Sequence, residues 1–458
     1  MEIKKDNVIK LLSNIKEKIT PSRELITKID SVVNEFKLTI NRIITDNEIP
    51  VEIVLTGSYA KGTWLPQKLE VDVFLMYNSK EDIIKRGVKD LEYFKKVFER
   101  WEDRHAQHPY ISGVYKGVNI DIVPAVKIKD SSEKVTAVDR SPLHTIYVLS
   151  KIDQNLIAEI RLLKCFLIGQ RLYGAEIKTK GFSGYLCELL IIHYKTFLNL
   201  LEQCLNWRDK ETIILEEVAV NNIREFTDPL IVIDPVDHKR NVASPVSGET
   251  LQKFIKSVKN FLKNPSEKFF FPEEITPLKP DRMKLKVKNT LFILTKAPNI
   301  PVDNLWGQLH RSLNGFKKFL ELNDFKIHSA SVWTDERREV IFILKLESLF
   351  RSGFEKKLGP PVKSDGEKKF LEKYENNKYV KKLYVEDGRW MVLIKRGEEH
   401  IKDFLENIDY TRISLGKHIR AALKSDSKIL VEEEILSNYM ENKQFAKFLT
   451  EILNPEIA

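Results

Sequence analysis

Two carboxylates one residue apart, Glu70 and Asp72, stand in the run Leu69-Glu70-Val71-Asp72-Val73, where apolar and acidic residues alternate. Alternate side chains of a strand share a face, so the two acids project together while Val71 and Val73 turn toward a core. Acids so placed repel each other unless something positive lies between them, and a divalent metal is the usual answer. Alone, such a pair also describes a half-buried surface strand with its acids in water. The residues before it add chemistry. Val51 to Leu55 is a short apolar run that leads into Gly57-Ser58, a turn where backbone can approach a phosphate closely and a hydroxyl can hold its oxygens. A second alternating run, Lys116 to Pro124, points Asp121 away from Val118, Ile120 and Ile122. An acid among β-branched residues is unfavourable without a partner. If the two strands lie side by side, Glu70, Asp72 and Asp121 form a trio able to hold two Mg²⁺ ions about 4 Å apart, the arrangement that serves in-line displacement at phosphorus.

The elements that must position these residues are legible as periodicity. Residues 6 to 46 carry helix-spaced apolar positions split by Pro21 into two helices, expected to pack behind the strands. Glu81 to Trp101 reads as an amphipathic helix, with Leu91, Phe94 and Val97-Phe98 on one stripe. Leu156 to Leu172 and Tyr185 to Cys204 are densely apolar helices, the run Leu230 to Ile233 is strand-like, and Gly248 to Phe261 returns to helix. Asn264-Pro265 and the proline-spaced stretch from Pro272 to Pro280 mark a boundary near residue 265. Beyond it, strands are expected at Thr290 to Thr295, Val340 to Lys345, Tyr379 to Val385 and Trp390 to Ile394, with a helix at Trp306 to Leu322. No internal repeat or low-complexity tract is visible.

A chain of 458 residues exceeds one ordinary core and should form about three domains. Lysine and arginine number 75 against 66 acids, a net charge of +9, which favours a polyanionic partner without proving one. Cys165, Cys187 and Cys204 fall in helical segments, odd in number and without a CxxC spacing. That excludes a zinc ribbon or a disulfide framework as the organising device. No apolar run reaches membrane-spanning length, so a soluble, cytoplasmic protein with no membrane partner is expected.

Gly57-Ser58, Glu70-x-Asp72 and Asp121 resemble the catalytic signature of the DNA polymerase β nucleotidyltransferase superfamily. Longer strings narrow the resemblance to the archaeal, class I CCA-adding enzymes: Asp139-Arg140-Ser141-Pro142-Leu143-His144, Arg161-Leu162-Leu163-Lys164, Tyr173-Gly174-Ala175-Glu176, Gly181 to Glu188, and Asp234 through Ala243. It is thinner in the last third, resting on Gly359-Pro360-Pro361-Val362 and Gly416-Lys417-His418. The resemblance implies an α+β multidomain protein. A polymerase-β-type nucleotidyltransferase head would span 1–144, a mostly helical neck 145–265, and a mixed α/β tRNA-binding body and tail 266–458.

The implied reaction is attack by the 3′-hydroxyl of tRNA on the α-phosphorus of CTP or ATP, releasing pyrophosphate, with Glu70, Asp72 and Asp121 as catalytic and metal-binding residues. Ser58, Lys61, His144, Lys164, Tyr173 and Arg240 would contact the nucleotide, Arg240 reading its base. Lys61 stands where the family commonly has arginine, which keeps the charge and loses the bidentate fork; on its own it also suits a solvated surface. Lys356-Lys357, Lys368-Lys369 and Lys381-Lys382 are candidates for A-form RNA, and relatives suggest a homodimer. Two other readings fit the same carboxylates. One is another template-independent nucleotidyltransferase, such as a poly(A) polymerase or an oligoadenylate or cyclic-dinucleotide synthase. The other is an inactive RNA-binding protein on the same fold.

Overall fold

A computed structural model describes residues 5–105, 109–216, 226–406 and 408–454. The chain divides into two compact units, Met1–Glu273 and Glu274–Ala458.

The first unit opens with helices α1 (Lys5–Ile19) and α2 (Arg23–Asp46), broken at Pro21 as the sequence predicts. A five-stranded mixed sheet follows. Its strands are β1 (Val51–Thr56), β2 (Glu70–Tyr77), β3 (Arg100–His105), β4 (Pro109–Tyr115) and β5 (Val118–Val126), in the order β1-β2-β5-β4-β3. Between β1 and β2 lies the single-turn helix α3 (Gly57–Ala60), and between β2 and β3 the helix α4 (Lys80–Phe94). The amphipathic stripe expected to run on to Trp101 stops at Phe94, because Arg100 onward pairs with β4 as the sheet's edge. Val71, Val73, Leu75, Ile120 and Ile122 bury one face against α2 and α4 through Val33, Phe36, Ile40, Leu91 and Phe94. On the other face, Phe74, Met76, Val123 and Ala125 close a small cluster over the distal half of β2 and β5, leaving the Glu70–Asp72 end open.

The remainder of this unit is helical: α5 (Ser141–Lys151), α6 (Gln154–Gly169), α7 (Gly184–Tyr194), α8 (Phe197–Cys204) and α9 (Gly248–Lys263), with the short parallel pair β6 (Glu211–Ile213) and β7 (Leu230–Val232). The run expected as one helix from Tyr185 to Cys204 is two, split where Lys195 takes a φ of 68°. Helix α1 departs from expectation. Val8, Leu12, Ile15 and Ile19 pack into the helical core with α6 and α7 rather than behind the strands, and only α2 does the latter. Residues 266–273 also join this unit. Phe270, 2% exposed, sits between Phe166, Phe197 and Phe261 at ring distances of 5.5–5.7 Å.

The second unit holds α10 (Pro280–Lys286), β8 (Thr290–Lys296), α11 (Val302–Leu322), β9 (Ile327–Thr334), β10 (Glu339–Leu346), β11 (Phe354–Pro361), α12 (Glu367–Tyr374), β12 (Val380–Glu386), β13 (Arg389–Lys395), α13 (Ile401–Glu406), α14 (Lys417–Ser425), β14 (Ser427–Val431), α15 (Leu436–Glu441) and α16 (Lys443–Leu453). Two antiparallel sheets result, β14-β8-β10-β9 and β11-β13-β12. In the larger, Leu291, Ile293 and Phe342 face one helical layer while Phe292, Leu294 and Ile341 face another. The strands predicted at Thr290, Val340, Tyr379 and Trp390 are present; β9, β11 and β14 were not anticipated. Among the described residues no helix is long and apolar enough to cross a membrane.

The aromatic cluster yields a first prediction. Phe270→Ala should destabilise the first unit by about 3–5 kcal/mol, whereas Phe271→Ala, at a position 37% exposed, should cost no more than about 0.5 kcal/mol. Urea unfolding of the two variants checks this.

Candidate active site

The sheet register brings the acids together. β2 and β5 run parallel, with Asp72 directly across from Asp121 and Glu70 across from Asn119. Neighbouring strands lie about 4.8 Å apart, so the two aspartates meet across one strand spacing. Asp72 is half-buried, and burial together with the charges of Asp121 and Glu70 pushes its carboxyl up to about 7, against the opposing pull of Lys61. Asp121 is raised as well, by burial first and then by Glu70, with a hydrogen bond from Ser112 on β4 acting the other way. Gly57, the residue after β1, has a φ of +70°, and a Cβ there would fall 1.7 Å from Asp72 Oδ2. Only glycine lets this turn lie flat against the carboxylate.

Above the aspartates opens a cavity of about 280 Å³. Ser58, Lys61, Glu70, Asp72, His144, Lys164 and Tyr173, seven of the nine sequence-predicted site residues, line it. Asp121 lies beside its floor. Arg240 is off its wall, one residue removed through Asp234.

Two networks hold the cationic and aromatic walls. In the first, Glu188 on α7 is 1% exposed. Its Oε2 accepts from Lys61 Nζ at 2.5 Å, and its Oε1 accepts from Lys164 Nζ at 3.0 Å and Thr63 Oγ1 at 2.6 Å. Burial would raise this carboxyl, but Lys164 and Lys61 outweigh it and bring it down to about 2. Arg161 fixes the loop that carries Thr63, donating from Nη2 to Gly62 O at 2.7 Å and from Nε to Trp64 O at 3.1 Å.

In the second network, Asp234 has its side chain fully enclosed. Its Oδ2 accepts from His144 Nε2 and from Arg240 Nη1, both at 2.9 Å, and its Oδ1 accepts from Tyr185 Oη at 3.1 Å. The His144 ring stacks on Tyr185 at 4.0 Å. Burial lowers the His144 pKa despite its carboxylate partner; His144, the Val236 N–H and Arg240 keep Asp234 below the usual carboxylate range although burial works the other way. Asn241 braces the turn, its Oδ1 accepting from Val232 N and Ala243 N. Asp237 accepts from Arg140 Nη1 at 2.6 Å, tying the turn to the chain before α5.

Sequence reasoning missed Glu188, Asp234, Tyr185 and Thr63 as parts of the site. A signal existed for the two acids. Glu188 interrupts an otherwise apolar stretch from Leu186 to Ile192, and Asp234 follows Leu230-Ile231-Val232-Ile233. An acid so placed must be paired.

A glycine turn against paired strand carboxylates, with lysines and a serine around one cavity, is the apparatus of a nucleotidyltransferase. Family comparison agrees: the nucleotidyltransferase domain matches residues 38–144, the tRNA nucleotidyltransferase second domain 158–271, and the CCA-adding enzyme C-terminal domain 288–432. The CCA-adding enzyme of Methanocaldococcus jannaschii is 32% identical over 95% of this chain and 98% of its own, and that of Archaeoglobus fulgidus 33% identical over 93% and 96%. The Methanosarcina acetivorans enzyme is 32% identical over 92% and 93%. The chain belongs to the CCA-adding enzymes, and its activity is nucleotidyl transfer to tRNA. A looser likeness joins 58% of the chain to 97% of a Cid1 RNA terminal uridylyl transferase structure, at 13% identity and a TM-score of 0.47.

Nucleotidyltransferases of this fold work with divalent metal ions. Among the described residues, no three His, Cys, Asp or Glu side chains already converge as a metal cage. The donor set nonetheless fits a hard cation. All three candidates are carboxylates, two stand opposite in register, and burial and mutual repulsion raise Asp72 and Asp121 together, a cost a cation would offset.

Gly57→Ala should therefore displace the Asp72 carboxylate and lower turnover about a hundredfold or more. Gly117→Ala shares a left-handed φ, +78°, but its Cβ would meet nothing within 4 Å; it should lose some stability and keep its activity. Turnover and melting temperature of the pair separate displacement from backbone strain.

Proposed function

We propose that the chain builds CCA on tRNA from CTP and ATP in a single site where Glu70, Asp72 and Asp121 hold two Mg²⁺ ions. The observation that carries this is the cross-strand opposition of Asp72 and Asp121 beneath a cavity walled by lysines, serines and aromatic rings. Bound there, the ions would lower the pKa of the attacking hydroxyl and neutralise charge on the triphosphate.

The chain's own residues divide the remaining work. The Gly57-Ser58 turn faces phosphate oxygens with backbone and hydroxyl, and Lys61 and Lys164 supply positive charge beside it. Tyr173 and the His144–Tyr185 stack offer flat surfaces for sugar and base. Asp121, paired with Ser112 on β4, would bind the metal next to the attacking oxygen of the tRNA 3′-hydroxyl. Arg240 reads the base. One Nη1 proton is committed to Asp234, and the side chain, 31% exposed, presents the rest of its planar donor fork. The lysine pairs of the second unit suit phosphate contacts with the tRNA arm; Lys381 and Lys382 lie over the Phe354 and Tyr384 rings. The expected compartment is the cytoplasm.

Asp72→Asn and Asp121→Asn should each abolish addition of both C and A while tRNA binding, measured by filter retention, survives. Loss of only one nucleotide's addition would contradict a single site. Arg240→Ala should shift nucleotide choice. A lost charge-assisted hydrogen bond is worth about 1.5–3 kcal/mol, so UTP and GTP misincorporation should rise about tenfold to a hundredfold relative to CTP and ATP. If Arg240 only held phosphate, kcat/KM would fall alike for all four triphosphates.

A further inference from the structure

The two lysines of the cavity share one buried carboxylate. An ammonium has three donors. Lys164 spends all three inside the protein: on Thr63 Oγ1 at 2.9 Å, Glu188 Oε1 at 3.0 Å and Thr63 O at 3.3 Å. Lys61 makes one side-chain bond, to Glu188 Oε2. Its flank passes 5.8 Å from the Tyr185 ring, and two donors remain for the cavity. Thr63 closes the set, accepting from Lys164 while donating to Glu188. Burial lowers Lys164, the charge of Lys61 lowers it further, and Glu188 is the main group pulling the other way; Cys187 faces it too.

We propose that Glu188 is a positioning residue for triphosphate binding: as the shared counter-charge of Lys61 and Lys164, it holds both aimed at the cavity before nucleotide arrives. Lys61 adds phosphate contacts without breaking a bond, and Lys164 does so by giving up its longest one, to the Thr63 carbonyl. Glu188, at the cavity wall, stays bonded to both throughout. The inference rests on the reading of the two lysines as triphosphate ligands.

Steady-state kinetics of the full chain on tRNA lacking its terminal nucleotides tests it, with Lys61→Met, Lys164→Met, Glu188→Gln and Thr63→Val compared across pH 6 to 9. Glu188→Gln preserves shape and removes charge. It should raise KM for CTP and ATP alike, by about tenfold to a hundredfold, with a smaller change in kcat. Its KM should also climb with pH, because an unpaired buried Lys164 loses its proton as pH rises, whereas the wild-type KM stays flat. Thr63→Val, which keeps both charges, should raise KM less and without the pH slope, and it carries the test if Glu188→Gln melts early. Raised KM in both lysine variants but an unchanged, pH-flat KM in Glu188→Gln overturns the role of Glu188. If Glu188→Gln does not fold, a Thr63→Val KM equal to wild type overturns it. Unchanged KM in the lysine variants overturns instead the assignment of those lysines to the triphosphate.

Discussion

Asp72 and Asp121 face each other across a parallel strand pair, and two half-buried carboxylates at that spacing are unfavourable while both are ionised. Much of the first unit is arranged around that constraint. The sheet cannot relieve it by slipping, because a one-residue shift would carry Val71, Val73, Ile120 and Ile122 out of the core. Gly57 lies hard against one Asp72 oxygen, so the turn cannot relieve it either. Repulsion fixed in place by a hydrophobic register is a standing demand for positive charge. A reaction that brings together a cation and a polyanionic nucleotide supplies it.

The helical part of the unit answers with acids of its own, used in the opposite sense. Glu188 and Asp234 are almost wholly enclosed, yet both are held as carboxylates because each gathers several donors. Buried carboxylates of this kind contribute little net stability. Their effect is to fix where the lysines, His144 and Arg240 point. The strand acids thus gather little, Asp121 only the Ser112 hydroxyl, whereas Glu188 and Asp234 each have several donors, and that contrast separates the groups left for a metal from those that position side chains. Arg140 on Asp237 extends the same device to the link between sheet and helices.

Much of this was legible in the sequence, and the exceptions have physical causes. Period-2 alternation located β2 and β5 because each buries one face. It missed β3 altogether, whose Arg100 to Arg104 segment is largely exposed at the sheet edge and carries no alternation. Helical periodicity found α1 but not what it packs on, since an apolar stripe says that a face is buried and not against which partner. Prolines mark a turn near 265, and the first compact unit runs on to Glu273, with Phe269 and Phe270 in its aromatic core. Seven predicted site residues share one cavity because their strings carry the family's pattern. Glu188 and Asp234 escaped because their work is done on other side chains, and only a demand that every acid in an apolar run find a partner would have exposed them.

The account turns on a divalent cation beside the Asp72–Asp121 pair. The most direct measurement is anomalous diffraction from crystals grown with MnCl₂ and a non-hydrolysable CTP analogue. The account predicts manganese peaks within coordination distance of Glu70, Asp72 and Asp121, with the triphosphate against Gly57 and Ser58. Manganese bound elsewhere, or a triphosphate seated in the cavity with no peak at the paired aspartates, would contradict it.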